Sequence, residues 1–195
     1  MVNIDWNHPE PRLGWRGTMD RLFGPGATPA ELMLQLLPPM LAAIVAPLLV
    51  MLQSPDWSVL QYAVCAFMAF DIAGGVITNA TSSAKRWYHR DEQGWRSHMG
   101  FVLLHVAHLT LVSWVFLELD VVWILLTSAY LVTASLVVLA TPLYLRRPAA
   151  LCLYSVAIVL CLEVFLAPQG MAWFLPLFYL KLLVSHLLRE EPYRP

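Results

Sequence analysis

Charged residues are scarce in this chain of 195 residues: 13% are Asp, Glu, Lys or Arg, about half the share of a soluble globular domain. Together with 59% hydrophobic residues, that scarcity excludes an ordinary water-soluble domain. Internal repeats and low-complexity runs are lacking, as are long polar linkers, so neither a repeat solenoid nor a second, soluble domain is expected. Only Cys65, Cys152 and Cys161 carry thiols, all within apolar stretches. An odd number of thiols placed there is small apolar filler and not a disulfide framework. Residues 1–27 have no apolar h-region, which excludes the pattern of a cleaved signal peptide.

What the chain does have is six apolar stretches, at 32–52, 57–80, 99–117, 121–140, 149–166 and 171–188. Each is about as long as the roughly 17–25 residues that cross a bilayer. The expected fold is all-α: a polytopic bundle of six transmembrane helices within 28–190, an interfacial N-terminal arm at 1–27 and a short tail at 191–195. Thr28-Pro29-Ala30-Glu31 reads as the start of the first helix, with Thr as N-cap, Pro at N1 and Glu at N3. Pro38-Pro39 and Pro47 interrupt that span and predict a kink.

Topology follows from the cations. In a six-span threading Arg12, Arg16, Arg21, Lys85, Arg86, Arg90, Arg96, Arg146, Arg147, Arg189 and Arg194 all fall on one side. The opposite loops hold Asp56, Glu118 and Asp120 and no Lys or Arg. Cytoplasmic loops carry the excess of Lys and Arg, so both termini are expected in the cytoplasm and the protein in the cell membrane. Trp57, Trp114, Trp123 and Trp173 fit an aromatic belt on the far side. Membrane lipid is the expected partner, with a lipid-like or small-molecule substrate beside it. No nucleic acid is expected, and the oligomeric state is not encoded.

Lys181 is the twelfth cation and the exception, because it lies inside an apolar span. A cation there marks a functional site or a buried partner. Asp71 is the natural partner, on a face of span two shared with Gly75, Thr78, Asn79 and Ser82 and continuing to Arg86. Gly74 and Gly75 clear bulk beside it, for close packing or for a ligand. Span three carries His98, His105 and His108, spaced by seven and three, hence neighbours on one helix surface. Counted inward from the cytoplasmic ends, Asp71, His105, His108 and Lys181 all lie roughly 7–10 residues deep, in one layer. On span six Ser185 shares the face of Lys181, while Tyr179, His186 and Glu190 form a second stripe, as suits a helix in the bundle interior.

These residues predict a small membrane-embedded enzyme acting on a lipid-like or amphipathic substrate. Asp71, His105, His108 and Lys181 are the candidate catalytic set, by acid–base or metal-assisted chemistry. Asn79, Ser82, Arg86, Arg90, Arg96 and His186 are the candidate substrate-binding set, the cations coming from the polar loop 82–98. His98, His105, His108 and Asp71 form a mixed N/O ligand set suited to Zn or Fe, haem being the narrower variant. No HExxH motif is present. Two other classes compete: a proton- or ion-coupled transporter or channel using Asp71, Lys181 and the span-three histidines, and a structural or assembly subunit of a membrane complex.

Overall fold

The computed structural model describes residues 3–53 and 56–194. Residues 1–2 of the expected arm, 195 of the expected tail and 54–55 between the first two spans lie outside the described residues. Helices dominate the described residues: α1 (Trp15–Phe23), α2 (Pro29–Leu52), α3 (Val59–Ala80), α4 (Ser82–Tyr88), α5 (Trp95–Leu104), α6 (Val106–Phe116), α7 (Val121–Ala140), α8 (Leu143–Glu163) and α9 (Phe174–Tyr179), which continues as a π-helical segment, Leu180–His186. Two short strands, β1 (Asn3–Ile4) and β2 (Tyr193–Arg194), pair antiparallel and join the two ends of the chain. Arg194 reinforces the pairing, its Nε donating to Asp5 Oδ2 at 2.9 Å.

Among the described residues five stretches are long and apolar enough to cross a membrane: α2, α3, α5 with α6, α7 and α8. Their exposed surface is itself apolar. Met33, Leu37, Met40, Leu41, Ile44 and Leu48 of α2 all face outward, as they would toward lipid. This is the architecture of a multi-pass membrane protein. The sixth apolar stretch forms a shorter helix, Phe174–His186.

Side-chain caps explain several helix starts. Thr28 Oγ1 accepts from the Glu31 backbone N–H at 3.2 Å, and Glu31 Oε2 accepts from the Thr28 N–H at 2.8 Å, so two orphan donors of α2 are satisfied reciprocally. Ser58 and Gln61 repeat the device on α3. Glu31 also reaches α4, its Oε1 accepting from the Ser83 N–H at 2.9 Å. Pro38, Pro39 and Pro47 lie inside α2 without ending it, and Pro39 packs its ring on Gly74, where an added Cβ would sit 3.5 Å away. Much of the segment 82–98 is helical: Thr81 caps α4, and α5 begins at Trp95.

The short last helix occupies the middle of the molecule. Phe174, Leu175, Phe178, Tyr179, Lys181, Leu182, Leu183, Ser185 and His186 are all buried. Its widened turn changes which residues share a neighbour, because π-type hydrogen bonds join residues five apart; Leu187 N–H donates to Leu182 O at 3.2 Å. Regular α-helical spacing assigns Lys181 and His186 to different faces, whereas the π segment delivers both to α3, Lys181 to Asp71 and His186 to Asn79. The Tyr179 hydroxyl points elsewhere and donates to Thr127 O of α7 at 3.0 Å.

Gly75 is where the Lys181 stem crosses α3: a Cβ there would lie 2.2 Å from Lys181 Cε. Gly75→Ala should therefore destabilise the protein by about 1–3 kcal/mol through overpacking, although Ala is the better helix former by about 1 kcal/mol. Gly74→Ala, facing only the Pro39 ring at ordinary contact distance, should be neutral or stabilising. Thermal unfolding in detergent compares the two; equal melting temperatures would show that Lys181 does not need this gap.

Candidate functional site

The centre is an ion pair with two imidazoles beside it. Lys181 Nζ donates to Asp71 Oδ2 at 2.6 Å and to the Asp71 carbonyl at 3.4 Å. His108 Nε2 lies 3.2 Å from the same Oδ2. Lys181 is 2% exposed, so its charge is matched inside the bundle and not by solvent. His105 sits where α5 gives way to α6, and its N–H bonds Val102 O while the His108 N–H bonds His105 O. That tightened turn stacks the two rings, with centroids 4.8 Å apart and planes 10° from parallel.

Hydrogen bonding fixes one tautomer. His105 Nδ1 is 2.8 Å from Phe101 O, and a carbonyl only accepts. Nδ1 therefore carries the hydrogen and Nε2 the lone pair. His108 Nδ1 is buried and without a hydrogen-bond partner.

Asp71, His105, His108 and Lys181 line a cavity of 330 Å³ together with Gly74, Gly75, Thr78 and Asn79. Its rim is apolar: Leu22, Phe23, Leu36, Phe70 and Leu104. Leu36, Phe70 and Leu104 are also exposed, so the apolar edge of the cavity reaches the outer surface of the bundle. Beyond the charged floor the far half is closed by buried Val64, Cys65, Met68, Leu109, Val112, Met171 and Phe174.

A second histidine cluster lies next to the first, on its cation-rich side. Asn79 Nδ2 donates to Gly75 O at 2.8 Å, leaving Oδ1 to accept from His186 Nδ1 at 3.2 Å. His186 Nε2 is then the acceptor, and His98 Nδ1 donates to it at 3.2 Å. His89 Nε2 donates to the His186 carbonyl at 2.9 Å and stacks on His98 with centroids 4.6 Å apart. Phe101 bridges the two clusters, its ring stacked on His186 at 4.0 Å and 4.4 Å from His105. Lys85 Nζ donates to Ser185 O at 2.6 Å and Leu188 O at 2.5 Å, satisfying carbonyls at the end of the π segment.

The candidate residues thus divide. Asp71, His105, His108 and Lys181 meet at one point, with Asn79 on the same cavity wall. His98 and His186 belong to the second cluster; His98 does not join the ligand set that His105, His108 and Asp71 form. Ser82 accepts from the Tyr193 N–H at 3.1 Å, and buried Arg86 reaches Tyr193 O at 3.5 Å, so both tie down the C-terminal strand. Arg90 lies over the Trp87 ring at 3.8 Å and pairs with Glu92 at 3.0 Å, and Arg96 lies beside Trp95. None of Ser82, Arg86, Arg90 and Arg96 lines the cavity that holds Asp71. Gln35 and Tyr88, not anticipated from the sequence, do line it. Gln35 is buried, its Nε2 donating to Phe23 O at 3.3 Å while Oε1 has no hydrogen-bond partner. An amide early in an otherwise apolar span was the signal available for it.

In comparisons with known proteins, no family model, no curated protein and no solved structure matches this chain.

His89, outside the spans, is held neutral: burial first, then the neighbouring Lys85 ammonium and His98, push its pKa down to about 2. Unfolded His89 gains a proton below about pH 6.5, and the folded form does not. Its contribution is therefore fully present above that pH and lost as the pH falls below it, by up to about 1.4 kcal/mol per pH unit for the one proton. Unfolding measured between about pH 7 and pH 5 should show the decline, and His89→Gln should make it shallower by that one proton's share. A parallel decline in the variant would assign the acid sensitivity elsewhere.

Proposed function

We propose that this protein is a small enzyme of the cell membrane that acts on an amphipathic, lipid-like substrate, with six crossings and both termini in the cytoplasm. The observation that carries the reading is the chemistry of one cavity: a charged, titratable floor of Asp71, Lys181, His105 and His108 beside an apolar rim that reaches the outer surface. A lipid-like molecule is matched by that gradient, with its polar group on the floor and its chain leaving past Leu36, Phe70 and Leu104. The pairing of β1 with β2 supports the topology, because ends that meet on one side require an even number of crossings. The short buried helix Phe174–His186 would supply the sixth.

His105 presents a lone pair to the cavity, available for acid–base or metal-assisted chemistry in this reading. Its tautomer is set by Phe101 O, and a neutral imidazole with a free lone pair suits proton abstraction near neutral pH. Asp71 orients the neighbouring His108 and, held by Lys181, keeps an anionic acceptor at the floor without leaving a buried charge unpaired. Asn79 and Gln35 offer the amide groups that would hydrogen-bond the substrate's polar head. A transporter would need a polar route through the other half, and the buried apolar side chains from Val64 to Phe174 favour access from one side only.

Mass spectrometry of membranes from cells producing the wild type, Asp71→Asn or His105→Ala tests this. One amphipathic species should fall and its product rise with the wild type alone. Leu104→Trp, which fills the rim, should abolish the change in a protein that still folds. Identical lipid profiles, with a proton flux into vesicles that Asp71→Asn removes, would establish the transporter instead.

A further inference from the structure

We propose that Asp71, His105 and His108 form the binding site of one divalent transition-metal ion of the zinc or iron class, with Lys181 hydrogen-bonded behind the carboxylate ligand. The use of the metal rests on the enzyme reading above; its binding does not.

Two features point to it. First, the three residues each bring one ligand atom to within 4.8 Å of the others, and the Asp71 Oδ2–His108 Nε2 separation is 3.2 Å. Two ligands on one tetrahedral ion at about 2.0–2.1 Å stand roughly 3.3 Å apart, so that edge is already formed. The widest separation needs to close by about 1.5 Å to reach the same value, within reach of side-chain torsions beside a cavity. Second, His105 donates Nδ1–H to Phe101 O, the outer hydrogen bond that metal-ligating histidines make and that leaves Nε2 as the donor atom. A ligand set of two imidazoles and one carboxylate leaves open positions, and here the cavity supplies the space for a water and a substrate group.

Lys181 decides the sign of the test. Its ammonium, 2.6 Å from Asp71 Oδ2, neutralises the carboxylate that the ion would otherwise neutralise, and it repels a second cation. Binding must therefore work against Lys181. Removing that charge should strengthen the site, which is the reverse of what a purely structural salt bridge predicts for the same substitution.

The experiment is a Co(II) titration of the purified full-length protein in mild detergent, read by ligand-field absorption and by competition with Zn(II). The wild type should bind one cobalt per chain. His105→Ala and His108→Ala should each weaken it more than tenfold, at least the loss seen when an outer-shell partner is removed. His98→Ala, outside the ligand set, should keep it. Lys181→Met should bind cobalt more tightly and gain in melting temperature when cobalt is added, as mass action requires. That variant reports even if the metal-free form is poorly folded. No cobalt on folded wild type, or a spectrum unchanged by both span-three substitutions, overturns the proposal. Cobalt bound as described alongside unaltered lipid profiles would remove the enzyme reading and leave the site standing. A lipid change lost in Asp71→Asn without any cobalt binding would do the opposite.

Discussion

An ammonium group in the middle of an apolar bundle has to meet an opposite charge, since isolated ions in such surroundings cost several kcal/mol each. Lys181 meets Asp71, and much of the interior is arranged around that contact. Gly75 leaves the gap through which the lysine stem reaches it. The last helix is buried on every side because its polar groups find partners on several neighbours: Asp71 and Asn79 on α3, Thr127 on α7 and Lys85 on α4. Breaking the pair by removing one partner would strand the other charge, which is worse than never having built it.

The π segment is the backbone counterpart of that constraint. Widened turns of this type occur frequently at functional sites, and here the register change has a definite result. It brings Lys181 and His186 to the same partner helix, so the charged floor and the second histidine cluster lie along α3 one above the other. The tightened turn at His105 acts in the opposite sense on α5 and α6, drawing His105 and His108 into a stack beside Asp71. Two local departures from regular α-helix therefore assemble the site from residues that regular spacing only places at similar depth.

That difference sets what was legible in the sequence. The apolar stretches, the cap at Thr28, the interior position of the last helix and the shared depth of Asp71, His105, His108 and Lys181 follow from composition and helical periodicity. Which side chain meets which does not, because lateral packing order is not written in spacing. His98 illustrates the limit. Seven residues from His105, it belongs with that residue on a regular helix, yet the break at His105 and the widened turn at His186 direct it to a different partner. Arg86 and Ser82 show a second kind of limit. A polar stripe running from Asp71 predicts that they face a substrate, but the returning C-terminal strand occupies them, a long-range contact that no local pattern announces.

The two histidine clusters also differ in what their surroundings permit. His89 and His98 line a smaller cavity with Arg90, Arg146 and Arg189 and one carboxylate, Asp91, where a proton or a metal ion would be added to a patch of net positive charge. That environment favours neutral, hydrogen-bonded rings with a structural role. His105 and His108 instead face the single carboxylate of the floor, with the tautomer of His105 fixed by Phe101. Imidazoles are equally suited to tying helices together and to doing chemistry; the sign of the nearest charge separates the two uses. The cluster beside Asp71 is the one whose carboxylate and open cavity leave something for a ligand to supply.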